Sequence, residues 1–345
     1  MTANYYKYIL DFKQASGTSR GVLKQKETWF IVVEAENNQG VGECGVFRGL
    51  SIDDTPDYES VLKWTCSNIH LGLDILLGKL TEYPSIQFGV EMAFKSLEAE
   101  NKFELFPSEF IKGNKGIAIN GLIWMGSEAF MKQQIKDKIE AGFKCIKMKI
   151  GAIDFQTEIK LLKSIRKEFS SKDIELRVDA NGAFHPSEAL EKLKVLSELD
   201  LHSIEQPIKQ GQTEAMSQLC KDTPLPIALD EELIGVFSEE EKRSLLKTIN
   251  PQYIILKPSL IGGFRGSDQW IKAAENQNIG WWITSALESN IGLNAIAQYT
   301  YMKNSELPQG LGTGGLFTNN FESPLQVNHG HLKYSKTINW NFNLK

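Results

Sequence analysis

One ionisable side chain at the end of each of four successive apolar runs constrains this chain more than any other feature. Asp179 ends ELRVD, Glu205 follows HSI, Asp230 follows IAL and Lys257 follows YIIL, with gaps of 26, 25 and 27 residues. A strand, a helix and two loops fill such a period, so each residue falls at the C-terminal end of a parallel strand. Functional groups repeated at successive strand ends are how a (β/α) barrel assembles a site. From about Gly116 the chain keeps the same period. GIAING, FKCIKMKIG, IELRVDAN, LHSIEQP, PLPIALDEE, YIILKPSLIGG, IGWWITSALES and LPQGLGTGG read as eight strands. SEAFMKQQIKDKIEAGF, FQTEIKLLKSIRKEF and HPSEALEKLKVLSEL read as helices between them, with a leading Ser, a trailing Gly or an early Pro as end signals. A doubly wound open sheet is the alternative, but it places ligands at one switch point rather than at four successive strands.

The first third lacks this rhythm. YYKYILDFK, WFIVVEAE and GVGECGVF read as antiparallel strands, the last two joined by the turn signal NNQG. SVLKWTCSNIHLGLDILLGKL and SIQFGVEMAFKSLEAENKF read as helices. The expected fold is therefore α/β. A (β/α) barrel, a modified TIM barrel, spans 116–317, with an N-terminal α+β capping domain over 1–115 that the aromatic tail 318–345 completes. The 345 residues are 41% hydrophobic and 23% charged, as in ordinary globular proteins. A net charge of −5 with both signs dispersed argues against a nucleic-acid surface. Cys44, Cys66, Cys145 and Cys220 form no CxxC pair and read as reduced thiols. No leader pattern and no membrane-length apolar run is present, so a cytoplasmic protein is expected.

Asp179, Glu205 and Asp230 converging at one barrel mouth repel each other unless a cation neutralises them. An all-oxygen set suits Mg²⁺ or Mn²⁺, and with no His among them zinc is disfavoured. Any one of the three alone would read as a helix cap. Lys147 and Lys149 share one face of their strand and point into the barrel, while Ile146, Met148 and Ile150 face the helices and Lys144 faces solvent. Two buried ammonium groups side by side require anions nearby. Lys257 lies on the opposite wall, fixed by Pro258, with Gly262 and Gly263 permitting close approach of a ligand. Asn181 shares the inward face of Asp179 and reads equally as a turn residue or as a partner of the metal shell or the lysines. Glu231 and Glu232 supply a supporting or first-turn acid. In SALESNIG, Ser285, Ser289 and Asn290 offer donors for a substrate carboxylate, or act as helix caps. LGTGGL is a glycine-rich turn that matches no nucleotide-binding fingerprint.

KxK at 147–149, DAN at 179–181, IEQP at 204–207, LDE at 229–231 and KPS at 257–259 resemble, in order, the motifs of the enolase superfamily in its muconate-lactonizing subgroup. SALES and the barrel-end glycines are most similar to the o-succinylbenzoate synthase family of menaquinone biosynthesis. GECGVFRGLS, 42–51, is similar to the N-terminal specificity loop, and SGTSRG, 16–21, to the mobile loop over the substrate, where Arg20 would contact a carboxylate. The resemblance implies a Mg²⁺-dependent lyase that abstracts a proton next to a carboxylate and passes through an enediolate. Asp179, Glu205 and Asp230 would hold the metal. Lys149 would be the base, with Lys147 beside it favouring its neutral form, and Lys257 would stay cationic on the other face. The implied reaction is the dehydration of 2-succinyl-6-hydroxy-2,4-cyclohexadiene-1-carboxylate. Dipeptide epimerases, N-succinylamino acid racemases and cycloisomerases of the subgroup keep the same catalytic set and remain alternatives.

Overall fold

The computed structural model describes residues 1–18, 21–36 and 38–344. Three antiparallel strands, β1 (Thr2–Thr18), β2 (Gly21–Ala35) and β3 (Asn38–Cys44), form a sheet in that order. Three helices follow, α1 (Tyr58–Ser67), α2 (Leu73–Lys79) and α3 (Pro84–Glu98). The single helix expected over 60–80 is interrupted at Gly72, whose φ of +82° closes a 3₁₀ turn and restarts the helix, a conformation open to glycine. Helix α3 lies directly on the sheet because glycines face glycine. A Cβ on Gly42 would stand 1.8 Å from the carbonyl oxygen of Gly89, and one on Gly40 would stand 2.1 Å from that of Ala93.

The remainder alternates strand and helix. Its elements are β4 (Ile117–Ala118), β5 (Gly121–Ile123), α4 (Glu128–Glu140), β6 (Cys145–Lys149), α5 (Phe155–Glu168), β7 (Glu175–Asp179), α6 (Pro186–Ser197), β8 (Ser203–Glu205), α7 (Thr213–Asp222), β9 (Ile227–Leu229), α8 (Glu239–Ile249), β10 (Tyr253–Leu256), α9 (Pro258–Ile261), α10 (Gly263–Glu275), β11 (Gly280–Ile283) and α11 (Asn290–Met302). Strands β5 to β11 are parallel neighbours in sequence order, as the 25-to-27-residue period requires. The eighth expected strand, LPQGLGTGG, makes no ladder. It closes the ring through two parallel bridges, Gln309 with Ile119 and Gly310 with Thr284. The first expected strand, GIAING, divides. Ile117 and Ala118 pair with the tail strand β13 (His331–Tyr334), itself hairpinned to β12 (Leu325–Asn328), while Gly121–Ile123 pairs with β6.

End signals behave as their chemistry predicts. Ser127 caps α4 by accepting from the Phe130 N–H, and His185 with Glu188 forms a capping box ahead of Pro186 in α6. The barrel floor is filled by Trp282, Ile255 and Ala228, with the Arg177 guanidinium 4.2 Å from the Trp282 ring centroid. Trp281 faces the other way, into the main core. The tail returns to the first sheet. Phe321 and Phe342 pack on Phe30, and Trp340 stacks on Phe103 at 4.5 Å. The Asp11 and Thr318 backbones bond, and Phe12 bridges Phe317. All four cysteines are buried free thiols. Among the described residues no helix is long and apolar enough to cross a membrane.

Candidate active site

Parallel register sets the site. It places Lys149 beside Asp179 across β6 and β7, and Asp179 beside Glu205 across β7 and β8. Asp230 directly follows β9, and Lys257 follows β10 as the residue before α9. The four strand-end residues and both inward lysines therefore converge at one mouth, while Lys144 is exposed.

Lysine and acid interleave there. Lys147 Nζ lies 2.5 Å from Glu205 Oε2 and 3.2 Å from Asp179 Oδ2, so one ammonium links two acids. Lys257 pairs closely with Asp230 and stands 4.0 Å from Glu205 Oε1. Lys149 donates to Asp179 Oδ2 at 2.9 Å and to Asn181 Oδ1 at 2.6 Å. Burial opposes every one of these charges, and the partners decide the outcome. For Lys147, desolvation pulls the ammonium down, but Glu205 and Asp179 hold it above its ordinary range. Lys257 is likewise raised, desolvation being outweighed by Asp230 and Glu205. Asp179 is held well below the usual carboxylate range, because Lys149 and Lys147 overcome its burial. Glu205 goes the other way, pushed up to about 8 by desolvation and by the Asp179 charge, against the pull of Lys147.

Just after two of the site acids the chain turns through left-handed backbone, at Asn181 (φ +44°), two residues past Asp179, and at Gln206 (φ +40°), next to Glu205. Asn181 does what one of its two sequence readings allowed. It accepts from Lys149 and donates to Glu231 Oε1 at 3.1 Å. Gln206 is fully buried, accepts from the Asp230 N–H at 3.1 Å and donates to Glu232 Oε2 at 3.0 Å, which fixes one strand end against the next. Sequence reasoning missed it, although an amide inside IEQP, next to a functional acid, was a usable signal. Glu231 lines the cavity, whereas Glu232 turns away and accepts from the Gly211 N–H.

Above the charges lies a cavity of about 140 Å³. Lys147, Lys149, Lys257, Asp179, Asn181 and Glu231 line its charged end. Its apolar lining is Leu122, Trp124, Leu287 and Leu316, with Phe47 and Leu50 from the segment 42–51. Gly310, Gly312 and Thr313 of the glycine-rich turn also line it.

Several expected substrate contacts are corrected. Ser289 does not face the cavity. It is fully buried, caps α11 and donates to Glu43 Oε2 at 2.5 Å. Ser285 lines the cavity, but its hydroxyl is saturated. It donates to Glu288 Oε2 at 2.6 Å and accepts from the Leu287 N–H and the Thr313 hydroxyl. Asn290 donates to the Phe321 carbonyl at 2.6 Å. At Gly262 the close approach is made by Gln87 and at Gly263 by Glu91, both of α3. A Cβ on Gly263 would lie 2.1 Å from Glu91 Oε2, which caps the start of α10. Arg20 lies outside the described residues.

Among the described residues no three His, Cys, Asp or Glu side chains are gathered tightly enough to hold a metal between them as they stand. Lys147 and Lys257 stand between the acids instead. The donor set nonetheless suits a hard cation. It is all carboxylate oxygen on three neighbouring strands, and Glu205 Oε1 is buried without a hydrogen-bond partner. Chemically, the mouth offers two ammonium faces across a carboxylate cluster under an apolar wall, an arrangement suited to taking a proton from beside a bound anion.

The Enolase C-terminal domain-like family matches residues 130–338. The chain is 45% identical to an o-succinylbenzoate synthase of Desulfotalea psychrophila, an alignment that covers 97% of this chain and 99% of that one. The crystal structure of MenC from the same organism superposes with a TM-score of 0.86 at 42% identity, over 96% of this chain and 99% of that one. A dipeptide epimerase from Enterococcus faecalis, crystallised with Mg and the dipeptide L-Leu-L-Tyr, shares the fold at 18% identity, with a TM-score of 0.84 over 97% and 96% of the two chains.

Proposed function

This chain belongs to the Enolase C-terminal domain-like family, and from that premise we propose that it is an o-succinylbenzoate-forming dehydratase. The observation that carries the reading is the near full-length relationship to an enzyme of that name, joined to a site with a lysine on each wall. The substrate proposed is 2-succinyl-6-hydroxy-2,4-cyclohexadiene-1-carboxylate, in a cytoplasmic step of menaquinone synthesis. The working parts proposed are a barrel over 116–317 and a cap of 1–115 completed by 318–345.

Lys149, aimed by Asp179 and Asn181, takes the proton from the carbon that bears the carboxylate. Lys257, kept cationic by Asp230 and Glu205, faces the negative charge that develops on the carboxylate oxygens from the opposite wall. Lys147 stays charged below and balances Asp179 and Glu205. The C–O bond on the neighbouring carbon then breaks, and Lys149 returns its proton to the departing hydroxyl, so that water and an aromatic ring result. Asp179, Glu205 and Asp230 would hold a Mg²⁺ ion, with Mn²⁺ as a substitute, whose charge supports the same oxygens. The apolar wall of Leu122, Trp124, Phe47 and Leu50 shields a hydrocarbon ring from water.

The epimerase alternative needs a counter-ion for a free substrate ammonium. The only acids lining the cavity among the described residues are Asp179 and Glu231, both at the lysine end. That distribution favours a substrate without an amine. The test is purified protein with Mg²⁺ and the cyclohexadiene carboxylate, followed by the absorbance of the aromatic product. No turnover there, with epimerisation of dipeptides or racemisation of N-succinylamino acids instead, would overturn the proposal.

A further inference from the structure

Behind the cavity wall lies a second buried charge cluster, which the reaction above does not use. Glu288, the acid of SALES, is fully buried. Its Oε1 accepts from the Ser259 hydroxyl, two residues beyond Lys257. Its Oε2 accepts from the Ser285 hydroxyl at 2.6 Å and from the Ala286 N–H at 2.8 Å, and both residues line the cavity. One carboxylate thus ties the segment carrying Lys257 to the wall that follows β11. Glu43 of the cap sits beside it, fully buried, and accepts from the Thr28 hydroxyl at 2.8 Å, the Ser289 N–H at 2.9 Å and the Gly292 N–H at 2.8 Å. The packing leaves no slack. A Cβ on Gly292 would lie 2.8 Å from both Glu43 Oε2 and Glu288 Cβ, and one on Gly45 would lie 3.1 Å from Glu288 Cγ.

Two buried carboxylates side by side need a cation, and Lys26 of β2 lies on the same strand face as Thr28, whose hydroxyl donates to Glu43. Lys26 is 6% exposed, and its ammonium has no hydrogen-bond partner among the described residues. Burial lowers its proton affinity on balance, although Glu43 and Glu288 pull the other way. An ammonium kept in such a place without hydrogen bonds is retained for its charge, since removing it would leave two uncompensated anions.

We infer that Glu288 is a positioning residue for the active site, holding Lys257 and the 285–287 wall in register, and that Lys26 of the cap neutralises it. The cap is then an electrical part of the barrel site as well as a cover. This role presupposes the proton-transfer site proposed above.

The test is a cycle of Lys26→Met, Glu288→Gln and the double variant, with kcat, KM and Tm measured on whichever carboxylate the wild type turns over: the diene, a dipeptide or an N-succinylamino acid. Each single variant is expected to lower kcat by about tenfold or more with a smaller change in KM. The double variant is expected to regain part of the Lys26→Met loss, because the stranded carboxylate has gone, and Lys26→Arg is expected to keep most of the activity. Losses that add in the double variant, or kcat values that fall only in step with Tm, would overturn the inference. A wild type inactive on the diene alone overturns the substrate assignment and leaves the cycle to be read on the other substrates. Should a variant be too unstable for kinetics, a Tm cycle in which the two substitutions couple by less than about 1 °C overturns the pairing.

Discussion

At the scale of single residues, the site depends on lysines that acids hold in place. Lys149→Ala is expected to lower turnover by about a thousandfold or more, since it removes the proposed base. The fold should survive, because Asp179 keeps Lys147 at 3.2 Å as a counter-ion. A variant that retains activity at wild-type Tm would show that another group takes the proton. EDTA is expected to abolish turnover and Mg²⁺ or Mn²⁺ to restore it. Full activity in chelator would remove Asp179, Glu205 and Asp230 from the role proposed for them. These five charged residues and Lys257 were legible in the sequence because strand ends repeat and side-chain parity is fixed by β geometry. Lys26, Glu43 and Glu288 were not. Their meaning lies in distant partners, as where Glu43 accepts from Gly292 across 249 residues, and no local period encodes such a pairing.

At the scale of elements, the cap reaches into the barrel through a helix end. Glu91 of α3 accepts from the Phe264 and Arg265 N–H groups at the start of α10. It is pushed up to about 7, chiefly by burial. The folded protein therefore holds this proton more tightly than the unfolded chain does. The resulting stabilisation is complete below the ordinary value of 4.5, and it is lost as pH rises from there through the folded value. Wild type should lose on the order of 3 kcal/mol more stability than Glu91→Gln between roughly pH 5 and 8. Parallel denaturation profiles for the two proteins would show that Glu91 does not titrate in this window. Helix and strand identities were mostly readable, because caps, Pro186 and apolar periods act locally. Two exceptions have different causes. The break at Gly72 comes from a left-handed glycine that an apolar helical period passes over, whereas the loose eighth strand at Gln309–Gly310 is set by what the segment packs against.

At the scale of the whole molecule, one apolar core runs from Phe30, Val41 and Phe88 of the cap to Ile146, Leu229 and Ile283 of the barrel. Cap and barrel should therefore melt together. Chemical denaturation followed by tryptophan fluorescence and by far-UV circular dichroism is expected to give one coincident transition. Phe321→Ala, which empties the junction between Tyr8, Phe30 and Phe342, should cost about 3 kcal/mol or more across that single transition. Two separated transitions would mean that cap and barrel are independent units. The meeting of the first sheet with the tail also has a consequence for synthesis. Asp11 is tied to Asn319, 308 residues later, and Phe30 waits for Phe321 and Phe342. On the ribosome the opening hairpin emerges early, but it has no aromatic lid until nearly the whole barrel has been translated. For that interval its apolar face is a client for chaperones, and slow translation between Ala35 and Phe321 would prolong the exposure.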